Sequence, residues 1–576
     1  MNIGMKSFTI IRKQQLVGTL LFFLLYGVSS FAQIPPKIKW QKCFGGSGSD
    51  GVSGRGNTSM IQLPNGTLVI AAAVNSRDGS ISDSHGNLDV CIFEIAPSGD
   101  LLWEKCFGGS ADDVPNSIIQ TSDGGFVVAG WTTSLDGGIP YHIPVIVPFN
   151  DTLSNSWVFK ISNSGEIQWQ VLTGGYSGAS SANAIIQTAD GGYAVAGWTT
   201  SDDEGLFNNQ AHDDLNQKFG NAYLAKLTPD GKIQWQRCYG GHGPDGASSL
   251  VESGGGDLVF IGGISNSDVN VGVHGFDSNG KGSSQDVWMV RVNSRGDTVK
   301  QQRCLGGRNS EIPTGLLKLP TKGFVFSAYT RSFDGDVSSH HLGDDPPSKP
   351  GFLNLDAWVV MVDSDFNIIW EKCFGGERND NVKSITYTSD SGFLVIGDSR
   401  SRDGDVDSHI GNNDSSDLWV IKLDKVGRIQ WHQSYGGLGD DFGLSICQAS
   451  GGDIIFCGTT NSVDGEVLGN HGKFDVWIAR VSNPQSAPLL STGNTYYLWP
   501  FPNPATVVVN LHLSQNQNVR KVEFLDLLGI QYYPPYKISN DVLTIDTHDL
   551  PAGSFIVRVA YQNTTRDGIR KFVHVR

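Results

Sequence analysis

The heptapeptide WQKCFGG, Trp40 to Gly46, decides how this chain is read, because variants of it return six times. They stand as WEKCFGG at Trp103, WQVLTGG at Trp169, WQRCYGG at Trp235, QQRCLGG at Gln301, WEKCFGG at Trp370 and WHQSYGG at Trp431. Successive copies lie 61 to 69 residues apart. A period of that length marks a solenoid, a propeller or an array of domains.

Each unit holds four short apolar runs. In the second unit they are NSIIQT (116–121), FVVAGWT (126–132), SWVFKI (156–161) and EIQWQ (166–170), here strands a, b, c and d. Glycine with Asp or Asn separates a from b (TSDGG) and c from d (NSG), which is the mark of successive antiparallel hairpins. The chain opens on a d run, KIKWQKC, and the repeats close on a c run, VWIARV. The opening d run is therefore free to pair with the last a-b-c set. That pairing closes a ring and removes the open sheet edges. Residues 36–482 accordingly read as one all-β, seven-bladed β-propeller; an eighth blade finds no strands.

Composition supports a large folded core. Of 576 residues, 39% are hydrophobic and 72 are glycine, so global disorder and a helical bundle are both excluded. A net charge of −16 argues against a dedicated nucleic-acid binder, which needs a basic stripe to displace counterions. Lys6, Arg12 and Lys13 precede an apolar run from Leu16 to Val28, followed by Ser30-Phe31-Ala32. This is the pattern of a secretory signal peptide over 1–32. The run is short of the roughly 20 residues that span a bilayer, so no transmembrane span is expected in the mature chain.

Strand direction puts the long b–c loops and the GG-bearing d–a loops on one face of the ring, where a binding site is expected. The b–c loops repeat SxDG at Ser76, Ser134, Ser332, Ser401 and Ser462. In unit six Asp403, Asp405, Asp407 and Asp414 stand at the first, third, fifth and twelfth positions of such a loop; in unit five Asp334, Asp336 and Asp345 match. Oxygen ligands at those offsets suit Ca²⁺. The alternative is a tight turn held by Asp and Ser side chains. The d–a loops place an acid four residues after the second glycine, at Asp50, Asp113, Asp245, Glu311, Asp380 and Asp441. These are expected either to cap the turn or to ring the channel mouth. A further acid or amide stands two before the c-strand aromatic (Asn155, Asn221, Asp286, Asp356, Asp417, Asp475), with Asp89 before Cys91, and is expected to be structural. His85, His274, His409 and His471 recur in the b–c loops as turn residues. Cys43, Cys106, Cys238, Cys304 and Cys373 share one d-strand position in different blades, so they read as small core residues; Cys447 and Cys457 are the pair most open to a bridge. No GxSxG, HExxH or P-loop motif is present, and no catalytic set or cofactor site is assigned.

After a polar linker over 483–495, five short strand patterns fill residues 496–576, as in a small C-terminal β-sandwich. Pro502-Asn503-Pro504-Ala505, Asp526-Leu527-Leu528-Gly529, Leu550-Pro551-Ala552-Gly553-Ser554-Phe555 and Lys571-Phe572 resemble the type A C-terminal sorting domain of the Bacteroidota type IX secretion system. The resemblance implies export across the outer membrane by that machinery and removal of the tail by a sortase-like protease. Release or attachment at the cell surface follows. The propeller units look like glycine-rich repeats of Bacteroidota surface proteins. The sequence thus points to a secreted or surface binding or adhesion protein for a glycan or protein ligand. The alternative is a polysaccharide-active hydrolase or lyase using loop acids.

Overall fold

The computed structural model describes residues 36–484 and 500–574. Excepted are loop segments 52–57, 141–145, 148–150, 202–219, 242, 266–283, 321–322, 342–353 and 411–414, and inter-strand stretches of the C-terminal part. The signal peptide expected at 1–32 and all but two residues of the linker expected at 483–495 lie outside the described residues. No helix among the described residues is long and apolar enough to cross a membrane.

The chain divides into two compact units, Met1–Ser486 and Ala487–Arg576. The first holds seven four-stranded antiparallel sheets. Six of them run a-b-c-d in chain order. The seventh takes a, b and c from Asp441–Gln448, Ile454–Thr460 and Asp475–Val481, and its d strand from Ile38–Phe44. Cys43 stands opposite Trp477 and Phe44 opposite Val476 in that splice. The Trp477 indole donates to Gln41 Oε1 at 2.9 Å, and Lys39 Nζ meets Asp453 at 2.6 Å. The seven-bladed ring with a shared first strand is therefore the architecture of this unit.

The b and c strands are buried along almost their whole length, as in LVIAAAV (Leu68–Val74) and NSWVFKI (Asn155–Ile161). They alternate little because a neighbouring blade covers each face. Leu394 and Ile396 of blade 6 pack with Ile446, Phe456 and Trp477 of blade 7, and the same arrangement recurs around the ring. The a strands touch across blades: Asn116 Nδ2 donates to Ala182 O at 2.9 Å and Asn183 Nδ2 to Ala247 O at 2.9 Å.

The repeated d-strand tryptophan has a mechanical role. Trp40, Trp169, Trp235 and Trp370 each lie against the c–d turn glycine of the following blade: Gly99, Gly231, Gly296 and Gly427. Those glycines have φ between +68° and +91°, and a Cβ there would strike the indole. One turn is thus both shaped and covered by its neighbour. On the same side, the a–b turn aspartates are held by lysines of strand c. Lys160 Nζ lies 2.6 Å from Asp123, and Lys226 Nζ 2.9 Å from Asp190.

The cysteines correct the sequence reading. Cys91 and Cys106 form a disulfide in blade 1, where they face each other across strands c and d. In other blades the d-strand cysteine faces an aromatic: Cys43 with Trp477, Cys304 with Trp288, Cys373 with Trp358. Where blade 1 replaces that tryptophan by Cys91, the cross-strand partner meets a thiol. Cys447 and Cys457 remain free, because Cys457 stands opposite Ser445 and Cys447 opposite Ile455.

The second unit forms two antiparallel four-stranded sheets. One takes Pro500–Phe501, Val508–His512, Val542–Asp546 and Tyr536–Ser539 in that order; the other takes Gln531–Tyr532, Val519–Asp526, Gly553–Tyr561 and Gly568–His574.

Candidate functional site

The long-loop face is laced by side chains that the repeat supplies. The six d–a acids are all buried. Each accepts from the second glycine of its own GG turn: Asp50 from Gly46 at 2.8 Å, Asp113 from Gly109 at 2.7 Å, Asp245 from Gly241 at 2.7 Å, Glu311 from Gly307 at 2.9 Å, Asp380 from Gly376 at 2.7 Å and Asp441 from Gly437 at 2.8 Å. The SxDG serine then donates to the same carboxylate, as Ser76 does to Asp50 at 2.5 Å and Ser134 to Asp113 at 2.7 Å. These acids cap turns; each is buried and gives an oxygen to a backbone amide, which argues against the channel-mouth alternative.

The SxDG aspartate returns the tie. Asp78, Asp136, Asp334, Asp403 and Asp464 each accept the amide of the residue after the GG pair, at 2.7 to 2.9 Å. Gly404 shows why glycine follows, with φ +61° and the carbonyl of Gly375 where a Cβ would stand. Two of the residues read as calcium ligands, Asp334 and Asp403, thus hold turns. Asp336 and Asp405 also face GG turns, receiving weak bonds from Gly306 and Gly375 at 3.3 and 3.4 Å. Asp407 lies near His432, at 3.8 Å. Among the described residues these acids do not converge into a three-ligand group. Asp345 and Asp414, the twelfth-position residues, lie outside the described residues, as does His274.

The acid at the head of strand c completes a pair that sequence reading missed. Asp356 accepts from the His341 amide at 2.8 Å and from its Nδ1 at 2.9 Å, both through Oδ2. Its Oδ1 is buried with no hydrogen-bond partner. Gly375 separates that oxygen from Asp380: a Cβ there would lie 2.9 Å from Asp356 Oδ1 and 2.6 Å from Asp380 Oδ2. Burial pushes the Asp380 carboxyl up to about 7, against its serine and amide donors and with help from Asp356. The same geometry repeats with His471, Asp475 and Asp50, where His471 Nδ1 lies 2.7 Å from Asp475. The repeated acid at two distant sequence positions was the available signal.

The sequence motif that supplies this lacing is broken in blades 3 and 4. Blade 3 has Ala179 where the d–a acid belongs, and neither b–c loop keeps the DG of SxDG. A cavity of about 300 Å³ opens there, at the long-loop end of blades 3 to 5. Register explains it. The paired a and b positions at this level hold Val114 and Trp131 in blade 2, Ser181 and Trp198 in blade 3, and Ile312 and Tyr329 in blade 5. In blade 4 they hold Gly246 and Gly263, so neither strand fills the space. Trp198, Ser248, Gln285 and Pro313 line it. Its only acid among the described residues, Asp245, accepts from the amides of Gly241 at 2.7 Å and Ser265 at 3.1 Å.

Residues 500–574 match the family described as the secretion system C-terminal sorting domain. No curated protein matches the chain. Among solved structures, a protein of unknown function from Dyadobacter fermentans is 12% identical, over 78% of this chain and 100% of its own, with a TM-score of 0.38. A fungal alcohol oxidase of the AA5 family, in complex with copper, is 10% identical, over 94% and 100%, at 0.42. PorZ, a bacterial surface component of the type IX secretion system of Porphyromonas gingivalis, is 11% identical, over 90% and 81%, at 0.25. At these scores none carries an argument about activity. The sorting domain does carry one about address: this is a type IX-sorted seven-bladed propeller protein, delivered to the cell surface or the extracellular space.

Proposed function

We propose that the protein is a non-catalytic binding protein that recognises a glycan or protein ligand with the long-loop face of its propeller. One observation supports this reading above the others: the d–a acids repeated on that face are buried in turn-holding bonds. A polysaccharide hydrolase needs two carboxyl groups facing a substrate across a groove, and a lyase needs a base within reach of its proton. Asp50, Asp113, Asp380 and Asp441 already serve backbone amides and hydroxyls, so none is available for either task. The C-terminal unit, as a small β-sandwich, engages the type IX machinery and is then removed by a sortase-like protease. Calcium in the loops of Asp403, Asp405 and Asp407 with Asp414, and of Asp334 and Asp336 with Asp345, is a second part of the proposal.

The test is retention of the purified full chain on insoluble polysaccharides and on immobilised extracellular proteins, with soluble reducing ends and unsaturated products measured in parallel. Binding without product formation is the expected result. Turnover of any polysaccharide would overturn the reading. Millimolar calcium should raise the melting temperature if the loop acids are ligands; an unchanged melt would leave them as turn residues alone.

A further inference from the structure

The cavity at blade 4 is built by two missing side chains, and its lining has a definite chemistry. Trp198 is half-buried, with Gly220 and Gly246 packed close to its side chain. Among the described residues neither its indole N–H nor the Ser248 hydroxyl finds a hydrogen-bond partner. The Gln285 amide donates to Pro244 O at 3.3 Å, which leaves its Oε1 as an acceptor beside the opening left by Gly263. The walls thus offer an aromatic ring, an N–H donor, a hydroxyl and an amide oxygen. Asp245 is the one titratable group in the described lining, and its carboxylate is buried and bonded to two amides. Among the described lining residues an anion finds no cation, and a cation finds only the Asp245 carboxylate, already held by two amides, so a charged ligand meets little to offset its desolvation cost. A neutral ring with an apolar face and hydroxyl edges finds a partner for each part.

We propose that the cavity opened by Gly246 and Gly263 binds one neutral sugar unit of an extracellular polysaccharide, stacked on Trp198 with its hydroxyls meeting Ser248 and Gln285. The proposal rests on the binding reading above and names its site and ligand class. It also accounts for where blade 4 departs from the blades on either side of it. Blades 2, 3 and 5 fill this level with Trp131, Trp198 and Tyr329, and blade 4 is left open.

The experiment refills the gap as the neighbouring blades do. Gly263 is not at positive φ, and the nearest atoms a Cβ there would meet belong to the flexible Gln285 side chain, at 3.2 Å, so Gly263→Trp must turn that side chain aside as its ring enters the cavity. Isothermal titration of the full chain would use the hexasaccharides of cellulose, xylan, mannan and laminarin, with oligogalacturonate as the charged control. Saturable binding of at least one neutral hexasaccharide is expected, weakened by roughly tenfold or more in Gly263→Trp and in Trp198→Ala at an unchanged melting temperature. Trp198→Ala and Gln285→Leu decide the matter if Gly263→Trp does not fold. Undiminished binding by these variants would overturn the cavity while sparing the binding reading. Binding of oligogalacturonate alone, or of none of the five, would overturn the ligand class. Release of shorter sugars during the titration would instead overturn the non-catalytic reading itself.

Discussion

Asp380, with Asp356 beside it, makes a pH response at the scale of single residues. The Asp380 carboxyl is pushed up to about 7 by burial, and that of Asp113 to about 6. In an unfolded chain an aspartate titrates near about 3.9. The folded state therefore holds these protons more tightly than the unfolded state. Their contribution to stability is complete below about pH 4 and is lost as pH rises through about 6 to 7. His341 acts in the same direction, because its bond to Asp356, opposed in part by burial, raises its pKa with help from Asp405 and Asp380. Asp123 and Asp190, lowered to about 2 by their hydrogen-bond partners, lose their contribution only below the aspartate range and so do not move this window. The melting temperature is expected to fall from pH 5 to pH 8. Asp356→Asn should flatten that slope, since an amide would offer an N–H toward Asp380 where Oδ1 now has no partner, and Asn155 and Asn221 already occupy the position in blades 2 and 3. Identical slopes in the two proteins would remove the acid pair as the cause.

At the scale of the element, the blade was legible because each turn announces itself. TSDGG and NSG set hairpins of fixed length, and the structure places strands at Phe126–Thr132 and Asn155–Ile161 within a residue of the expected runs. What stayed hidden was information that runs across strands. Cys106 reads along the chain as one of the d-strand cysteines a period apart and Cys91 as a substitute for the c-strand tryptophan, whereas their partnership is set by the c–d register inside one blade. The glycine pair of blade 4 was equally readable in principle, but only after the a–b register had aligned Gly246 with Gly263. The disulfide closes a sequence separation of 15 residues. A loop of that length corresponds to about 3 kcal/mol in the chain-entropy account. Replacing both cysteines by serine should lower unfolding free energy by up to that amount, measured by denaturant titration without reductant. Equal stability of the two forms would show that the cross-link constrains nothing the sheet does not already fix.

For the propeller as a whole, the blade number and the closure were both in the sequence, because seven d runs meet seven a-b-c sets displaced by one strand. The long-loop face was legible as a face, and its lacing was not. Which acids hold turns depends on how loops from two connections meet, and no spacing along the chain shows that meeting. A chain lacking residues 36–44 loses the d strand of blade 7 and exposes the edge at Asp475–Val481. Such a truncation is expected to abolish the single cooperative unfolding transition seen by circular dichroism and to bring aggregation through the bared strand. A sharp transition at the original temperature would mean that the splice contributes little.

That splice also dictates an order of events. Ile38 and Val481 pair directly, yet almost the entire repeat separates them along the chain. No nascent or translocating segment shorter than that span can finish the last sheet. The circle is joined only when its final strand has arrived in the same compartment as its first, shortly before the sorting signal itself emerges. Until then the circle stays open.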